Sequence, residues 1–235
     1  MEKEEKVRGL EMKIIARIHT ALPTKFGVPR QSGLVDEFEA TVVFEPEYRN
    51  ADAVRGLEEY SHIWLIWQFS EAVKDTWSPT VRPPRLGGNT RMGVFATRSP
   101  FRPNALGLSS VKLTRITMDP QLGPVLHVRG ADMMDNTPVF DIKPYLAYGD
   151  SHPEATGGFT DHVAERRLLV VIPPDLLEAI PQDQRETLRG LLAHDPRPSY
   201  QNDPQRVYGM RFGDFDVRFL VAEGVLTVCE VTKIS

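Results

Sequence analysis

Short runs of apolar residues, some alternating with polar ones and some continuous, recur along the chain and predict a mainly β protein. The run over residues 63–69 is apolar on both faces, which is typical of a central buried strand. A short helix is expected over residues 52–57, with Asp52 as its cap. Strands are expected over residues 13–20, 38–44, 63–69, 91–97, 107–118 and 124–131. Because no long helix separates them, the pattern favours a barrel or a sandwich over a doubly wound sheet.

The pattern changes after residue 148. Residues 149–161 (GDSHPEATGGFTD) have no periodicity, so we interpret them as a linker or mobile loop. A helical stretch follows over residues 174–193, interrupted at Pro181. Strands are expected over residues 167–172, 207–212, 215–222 and 225–231, with turns at 213–214 and 223–224. We therefore predict a mainly β domain over residues 1–148 and a small α+β domain over residues 162–235.

Composition excludes several classes of protein. The chain has 235 residues, of which 41% are hydrophobic and 26% charged, as in ordinary globular proteins. Its one cysteine, Cys229, excludes an intramolecular disulfide and a cysteine zinc cluster. The six histidines show no metal-ligand spacing, so no metal is expected. No apolar run approaches the ~20 residues of a membrane helix and the N-terminus does not resemble a secretory signal, so we expect a cytoplasmic protein.

Charge is segregated along the sequence. The net charge is −4, yet the 43 residues from Thr76 to Met118 contain seven basic residues and no acidic one. Such a distribution predicts a local basic field on an acidic body. Many of the arginines lie beside prolines, which restrict the backbone, so presenting the arginine side chains to a ligand costs little entropy. Trp77 and Phe101 offer aromatic surfaces nearby. This combination suits single-stranded RNA; the alternative is that prolines and glycines only turn the chain while arginines pair with acids elsewhere.

A second dense cluster combines a carboxylate, an ammonium group and a phenol. Asp141, Lys143 and Tyr145 fall within what we interpret as one extended turn after Val139 and Phe140. From spacing alone, an ordinary ion pair between the acid and the lysine is the alternative to a catalytic role. No dinucleotide-binding glycine motif, phosphate-binding loop or serine-hydrolase motif is present.

Four long segments resemble the signature sequences of the TrmO family, also called TsaA-like or YaeB-like. The segments are KFGVPRQSGLV, ADAVRGLEEYSHIWLIWQF, TVRPPRLGGNTRMGVFATRSPFRPN and DNTPVFDIKPYL. The likeness covers residues 13–148 and extends more weakly to HDPRPSY (194–200) and GDFDVRF (213–219). It implies a single β-barrel that works as a homodimer. It also implies an S-adenosylmethionine-dependent methyltransferase acting on N6 of threonylcarbamoyladenosine beside the anticodon of threonine tRNA.

The resemblance also assigns candidate site residues. The cofactor would be bound by Pro29, Arg30, Gln31, Ser70, Arg98, Leu108, Asp135, Asn136, Thr137 and Pro138. Asn136 stands where the family usually has glycine, and asparagine tolerates the same left-handed backbone. Ala105 and Leu106 also depart from the usual family form.

The chemistry of N6 methylation suggests further roles. The exocyclic amine must lose a proton, so we expect Asp141 or Tyr145 to accept or relay it and Lys143 to orient the substrate carboxylate. Arg82, Arg85, Arg91 and Arg102 would contact the anticodon stem-loop of the tRNA. Two alternatives remain at this stage: a non-catalytic RNA-binding or regulatory barrel, and a small-molecule hydrolase whose arginines hold an anionic substrate.

Overall fold

The main architectural unit is a closed, six-stranded antiparallel barrel. A computed structural model of the chain describes residues 11–162, 167–198, 201 and 203–234. The barrel strands are β1 (Ala16–Thr20), β2 (Glu39–Phe44), β3 (His62–Gln68), β6 (Leu106–Asp119), β7 (Gly123–Arg129) and β8 (Thr137–Pro144). They follow the order β1-β2-β7-β6-β3-β8, and β8 pairs back onto β1. The predicted mainly β barrel is confirmed.

Strand β3 shows how the barrel wall is built. Ile63, Leu65 and Trp67 are buried inside the barrel, whereas the residues between them are partly exposed. The expectation of a strand buried on both faces is therefore wrong: β3 lies in a wall whose second face is reached by solvent. On that outer face, Trp64 donates a hydrogen bond from Nε1 to Asp150 at 2.9 Å.

One connection between the barrel strands differs from the sequence prediction. Residues 91–97 do not form one strand; β4 (Thr80–Val81) pairs with β5 (Met92–Gly93), and a 3-10 helix follows at Val94–Ala96. Only Val94 of that segment is buried, because its backbone turns back to Pro79 rather than pairing with a longer strand.

The helix expected over residues 52–57 is two 3-10 helices, Ala51–Val54 and Leu57–Glu59. Gly56 separates them because its φ of 83° is left-handed. Asn50, rather than Asp52, supplies the cap: its side chain accepts a hydrogen bond from the backbone N–H of Asp52.

The C-terminal part is a four-stranded sheet with two helices. Its strands are β9 (Leu169–Val171), β10 (Tyr208–Phe212), β11 (Phe215–Ala222) and β12 (Val225–Lys233), and its helices are α2 (Pro174–Glu178) and α3 (Arg185–Ala193). The sheet order is β10-β11-β12-β9, with β9 parallel to β12. Before it, the predicted linker (149–161) is not wholly irregular, because α1 (Ala147–Asp150) and a 3-10 helix at Gly158–His162 overlap its two ends. Ser199 and Tyr200 of the HDPRPSY segment lie outside the described residues.

The long connection between β1 and β2 packs against the C-terminal part. The backbone N–H of Gly213 donates to the carbonyl of Ala21 at 2.6 Å. Thr187 Oγ1 of α3 donates to the carbonyl of Glu37 at 2.8 Å, and the His194 ring bonds the carbonyl of Leu34 at 2.9 Å. The hydrophobic core runs continuously through both parts. These contacts fix the connection that carries residues 29–31.

Candidate functional site

Several of the predicted cofactor residues gather at one end of the barrel. In the strand register, Thr137 lies beside Ile18 near the end of β1, and Val139 lies beside Trp67 near the end of β3. Trp67 also faces Gly107 at the start of β6. The turn at residues 135–138, Ser70 after β3 and Leu108 on β6 therefore belong to the same end, although they are far apart in sequence.

The turn at residues 135–138 is held by β1. Asn136 has a φ of 61°, which confirms that it adopts the left-handed backbone expected at this position. The Asp135 carboxylate accepts a hydrogen bond from the backbone of Thr20 at 3.1 Å and contacts His19 Nδ1 at 3.2 Å. Arg17 donates to the Asn136 carbonyl at 3.2 Å. The turn is thus tied to one strand by three side chains or backbone groups.

The remaining cofactor candidates differ in how they face solvent. Thr137 and Pro138 are buried, and Thr137 Oγ1 donates to the Met134 carbonyl at 2.8 Å, so both stabilise the turn. Pro29 is buried and Arg30 is exposed. Exposed side chains are also found at Ser70, which begins a 3-10 helix, and at Leu108, which is 56% exposed on the outer face of β6.

Arg98 and Gln31 join two further segments at this site. The Arg98 guanidinium donates a hydrogen bond to Oε1 of Gln31, which places the loop after β5 against the β1–β2 connection. No ion pair engages Arg98 among the described residues. Its positive charge therefore remains available to an anionic group.

Sequence reasoning missed a partly buried carboxylate, that of Asp132. Asp132 Oδ1 accepts a hydrogen bond from Ser109 Oγ at 2.6 Å, and Ser109 Oγ accepts one from Trp67 Nε1 at 2.9 Å. Burial raises the pKa of Asp132, while the bond from Ser109, the charge of Arg98 and the backbone N–H of Ser32 act in the opposite direction. The available signal was a single acid in the apolar run VLHVRGADMM, which no motif distinguishes.

Two of the three predicted catalytic residues, Asp141 and Lys143, lie on β8, and Tyr145 directly follows it. Two residues of β8, Val139 and Asp141, pair with the consecutive residues Trp67 and Ile66, so Phe140 is an extra, bulged residue. Bulges redirect side chains, and the Asp141 carboxylate is 3.0 Å from Lys143 Nζ. These two residues belong to a strand, so the extended turn expected from the sequence is wrong; sheet pairing to β3 determines their conformation.

Tyr145 lies beyond the end of β8 and packs on the outer face of β3. Its ring is 5.6 Å from that of Trp64 and 6.1 Å from that of His62, between centroids. At the rise of an extended strand, it lies about 26 Å along the chain direction from Thr137. One subunit therefore places Tyr145 at the far end of β8 from the turn at residues 135–138.

A cavity of about 650 Å³ opens beside Asp141. Its walls come from the start of β1, the second half of β8 and the 3-10 helices after β2, and they include the rings of Tyr48 and Tyr60. Pockets of this volume accommodate small molecules. Asp141 is thus a carboxylate that reaches a cavity, in addition to being one half of an ion pair.

Residues 76–104, which we call the arginine arm, carry exposed aromatic rings beside their arginines. Phe95 is 72% exposed and Trp77 52%, with ring centroids 6.1 Å apart, and Arg102 lies over the Phe95 ring at 6.0 Å. Arg102 donates to the Thr97 carbonyl at 2.9 Å.

The other arginines of the arm differ in their contacts. Arg91 donates to Thr80 Oγ1 at 3.1 Å, and Arg82 is exposed. The side chain of Arg85 lies outside what the structure describes. In the described part of the chain, none of the basic side chains between Thr76 and Met118 forms an ion pair, whereas Arg17, Arg129 and Arg218 on the barrel and C-terminal sheet do. Pairing with acids elsewhere thus does not account for the basic segment.

Over residues 11–162, 167–198, 201 and 203–234, no three His, Cys, Asp or Glu side chains are grouped so that they could hold a metal ion. Within the same ranges, no helix has both the length and the apolar character needed to cross a bilayer.

Comparison with known proteins matches both parts of the chain to one family. Residues 17–151 match the tRNA-methyltransferase O N-terminal domain, and residues 168–234 match the TrmO C-terminal domain. A tRNA (adenine(37)-N6)-methyltransferase of Escherichia coli is 40% identical over 217 residues, covering 89% of this chain and 92% of that protein.

Two Pseudomonas aeruginosa proteins extend the comparison. One, named as a candidate S-adenosylmethionine-dependent methyltransferase, is 38% identical over 212 residues, covering 87% of this chain and 90% of its own. The other is a crystal structure of TrmO that superposes with a TM-score of 0.75 at 30% identity, covering 96% of this chain and 100% of that one.

Proposed function

Because the chain belongs to the TrmO family of tRNA methyltransferases, we propose that it methylates N6 of adenine 37 in tRNA with S-adenosylmethionine as the methyl donor. The observation that carries the proposal is the match of both parts of the chain to the family, at high coverage of the relatives. We further propose that the substrate base carries a threonylcarbamoyl group and belongs to threonine tRNA, as the family motifs imply.

The residues at the barrel end fit the chemistry of the methyl donor. Its methionine carboxylate suits the Arg98 guanidinium, which forms no ion pair in the described structure and is oriented by Gln31. Its ammonium and ribose hydroxyl groups suit the Asp135 carboxylate and the exposed Asn136. S-adenosylmethionine would supply a methyl group bound to a sulfonium, from which the neutral thioether leaves readily.

The chain then has to position the amine and remove its proton. Bringing N6 to within attack distance can contribute about 7–11 kcal/mol through effective molarity. Asp141 accepts the N6 proton in this proposal, directly or through the Tyr145 phenol, and its place beside the 650 Å³ cavity supports that role. Lys143, held 3.0 Å from Asp141, orients the carboxylate of the threonylcarbamoyl group.

A homodimer would join residues that one subunit keeps apart. Tyr145 and the turn at residues 135–138 are at opposite ends of β8, and a site shared across two subunits would bring them together. Mixing two inactive variants, Arg98→Gln and Tyr145→Phe, tests this. Random exchange of subunits should restore about a quarter of the original activity if sites are shared, and none if each subunit works alone.

The arginine arm is the proposed contact with RNA. Arg82, Arg85, Arg91 and Arg102 would bind phosphates of the anticodon stem-loop, and the exposed rings of the arm would stack on unpaired bases. In its support, the basic side chains of the arm form no ion pairs in the described part of the chain.

The first experiment is transfer of labelled methyl groups to total tRNA. Wild-type tRNA is compared with tRNA that lacks the threonylcarbamoyl modification, and Arg98→Gln is compared with Arg55→Gln, an exposed arginine paired with Asp52. We expect incorporation only into modified tRNA, lost in Arg98→Gln and kept in the control. Salt-sensitive tRNA binding with no incorporation would favour a non-catalytic RNA-binding barrel. Turnover of a small molecule unaffected by tRNA would favour a hydrolase.

A further inference from the structure

Strand β1 holds the carboxylate of Asp135 through one of its two oxygens. The pairing of β8 with β1 ends at Thr137, and Asn136 before it has a left-handed backbone. At this point the side chain of Asp135, rather than a backbone carbonyl, accepts the N–H of Thr20, at 3.1 Å to Oδ1. The N–H of Asp135 donates to the carbonyl of Leu22 at 2.7 Å, so the backbone of this residue is fixed as well.

His19 provides a second contact to the same oxygen. Its Nδ1 lies 3.2 Å from Oδ1 of Asp135, and because an ionised carboxylate only accepts hydrogen bonds, Nδ1 carries the proton of this contact. Two donors that converge on Oδ1 fix the plane of the carboxylate, whereas a single donor would leave it free to rotate about one bond. In the part of the chain that the structure describes, no hydrogen bond engages Oδ2, so this oxygen is left for a ligand.

Stability does not account for the pair. The side chains of His19 and Asp135 are 46% and 40% exposed, and ion pairs at such positions contribute little to folding. The His19 ring also lines a groove of about 280 Å³ whose charged and titratable side chains are Glu39, Arg115 and His127, yet its hydrogen bond goes to Asp135. What the contact changes is the freedom of the carboxylate, because a side chain that is already ordered loses less entropy on binding.

We propose that His19 is a positioning residue that holds Oδ1 of Asp135, so that Oδ2 is presented to the ammonium or ribose hydroxyl groups of the methyl donor. His19 acts through Asp135 and need not touch the donor. This inference rests on the proposed function, because it takes Asp135 to be a residue that binds the donor.

The test is binding of S-adenosylhomocysteine, which has the same amino-acid and ribose groups as the donor, measured by calorimetry on the full-length protein. His19→Ala removes the second contact, and we expect the affinity to fall about 2- to 12-fold, the equivalent of ordering one side chain on binding. The thermal midpoint should shift by no more than about 2 °C, because the pair is exposed. His152→Ala is the matched control, since His152 is an exposed histidine 3.9 Å from Glu154, and it should bind as the wild type does.

Two conservative variants separate positioning from a merely structural role. Asparagine carries its amide nitrogen where histidine carries Nδ1, whereas glutamine carries it one bond farther out, near the position of Nε2. We therefore expect His19→Asn to restore most of the affinity, and His19→Gln to bind as weakly as His19→Ala. Wild-type affinity in His19→Ala, equal affinities of the Asn and Gln variants, or losses that follow the thermal midpoint would overturn the inference. Failure of the proposed function has a different signature, because the wild-type protein would then not bind S-adenosylhomocysteine, which would overturn both.

Discussion

Replacing Ser109 by alanine tests whether the hydroxyl that links Trp67 to Asp132 stabilises the barrel. The hydroxyl oxygen accepts a bond from the Trp67 indole and donates one to the Asp132 carboxylate, and all three side chains lie inside the barrel wall or against it. Alanine removes both bonds at once. It leaves the buried indole N–H without its acceptor and the partly buried carboxylate without its side-chain donor.

The two losses have known ranges. An unsatisfied buried donor costs about 1–3 kcal/mol, and a hydrogen bond to a charged group contributes about 1.5–3 kcal/mol. The two bonds share one atom, so their losses need not add fully. We therefore expect Ser109→Ala to lower the free energy of unfolding by roughly 2–5 kcal/mol.

Urea unfolding, followed by tryptophan fluorescence and by circular dichroism, measures this change. The control is Ser110→Ala, the next residue of β6, whose side chain is on the opposite face of the strand. It should change stability by no more than about 0.5 kcal/mol. Equal losses in the two variants, or a loss below about 0.5 kcal/mol in Ser109→Ala, would refute the view that the hydroxyl links a buried network.

Three further predictions concern packing, RNA binding and pH. Gly107→Ala places a methyl group inside the indole ring that faces it, so it should destabilise the protein by about 1–3 kcal/mol in thermal unfolding; Gly93→Ala, with open space around it, should change little. Arg82→Gln should reduce the slope of log affinity for tRNA against log salt by about 0.7–0.9 if it binds one phosphate, and Arg55→Gln should leave the slope unchanged. Burial raises the pKa of Asp132, so its stabilising contribution is present below the usual carboxyl range and is lost as pH rises through the raised value. Asp132→Asn should therefore gain stability relative to the wild type as the pH rises above the ordinary carboxyl pKa of about 4 in urea titrations, and a constant difference would contradict this.

Local patterns predicted the strands well where each has a long partner. Strand β6 was expected over residues 107–118 and spans Leu106–Asp119, and the C-terminal hairpin turns fall at the expected glycines. The expectation was wrong at residues 91–97. There, β-rich composition suggests a strand, but pairing is decided by the neighbouring segment, and only Met92 and Gly93 find a partner.

In the candidate site too, features set by neighbouring residues could be predicted, whereas contacts between residues far apart in sequence could not. The left-handed Asn136 could be foreseen because backbone preference is a property of one residue and its neighbours. The bonded pair of Asp132 and Ser109 could not, because the two residues are distant in sequence and meet only in the closed barrel. A solitary acid in an apolar run carries no spacing from which partners can be deduced.

The attachment of the β1–β2 connection to the C-terminal part limits how this chain could be shortened. Removing everything after the barrel would leave all six barrel strands present, yet it would delete the partners of Ala21, Leu34 and Glu37. The residue 29–32 loop would keep its hydrogen bond from Arg98 to Gln31 but lose the support of the C-terminal part, and ordering it on each binding event would cost conformational entropy. A truncated barrel would also lose the C-terminal share of the continuous hydrophobic core, so the same deletion should lower both the stability of the barrel and its affinity for the methyl donor.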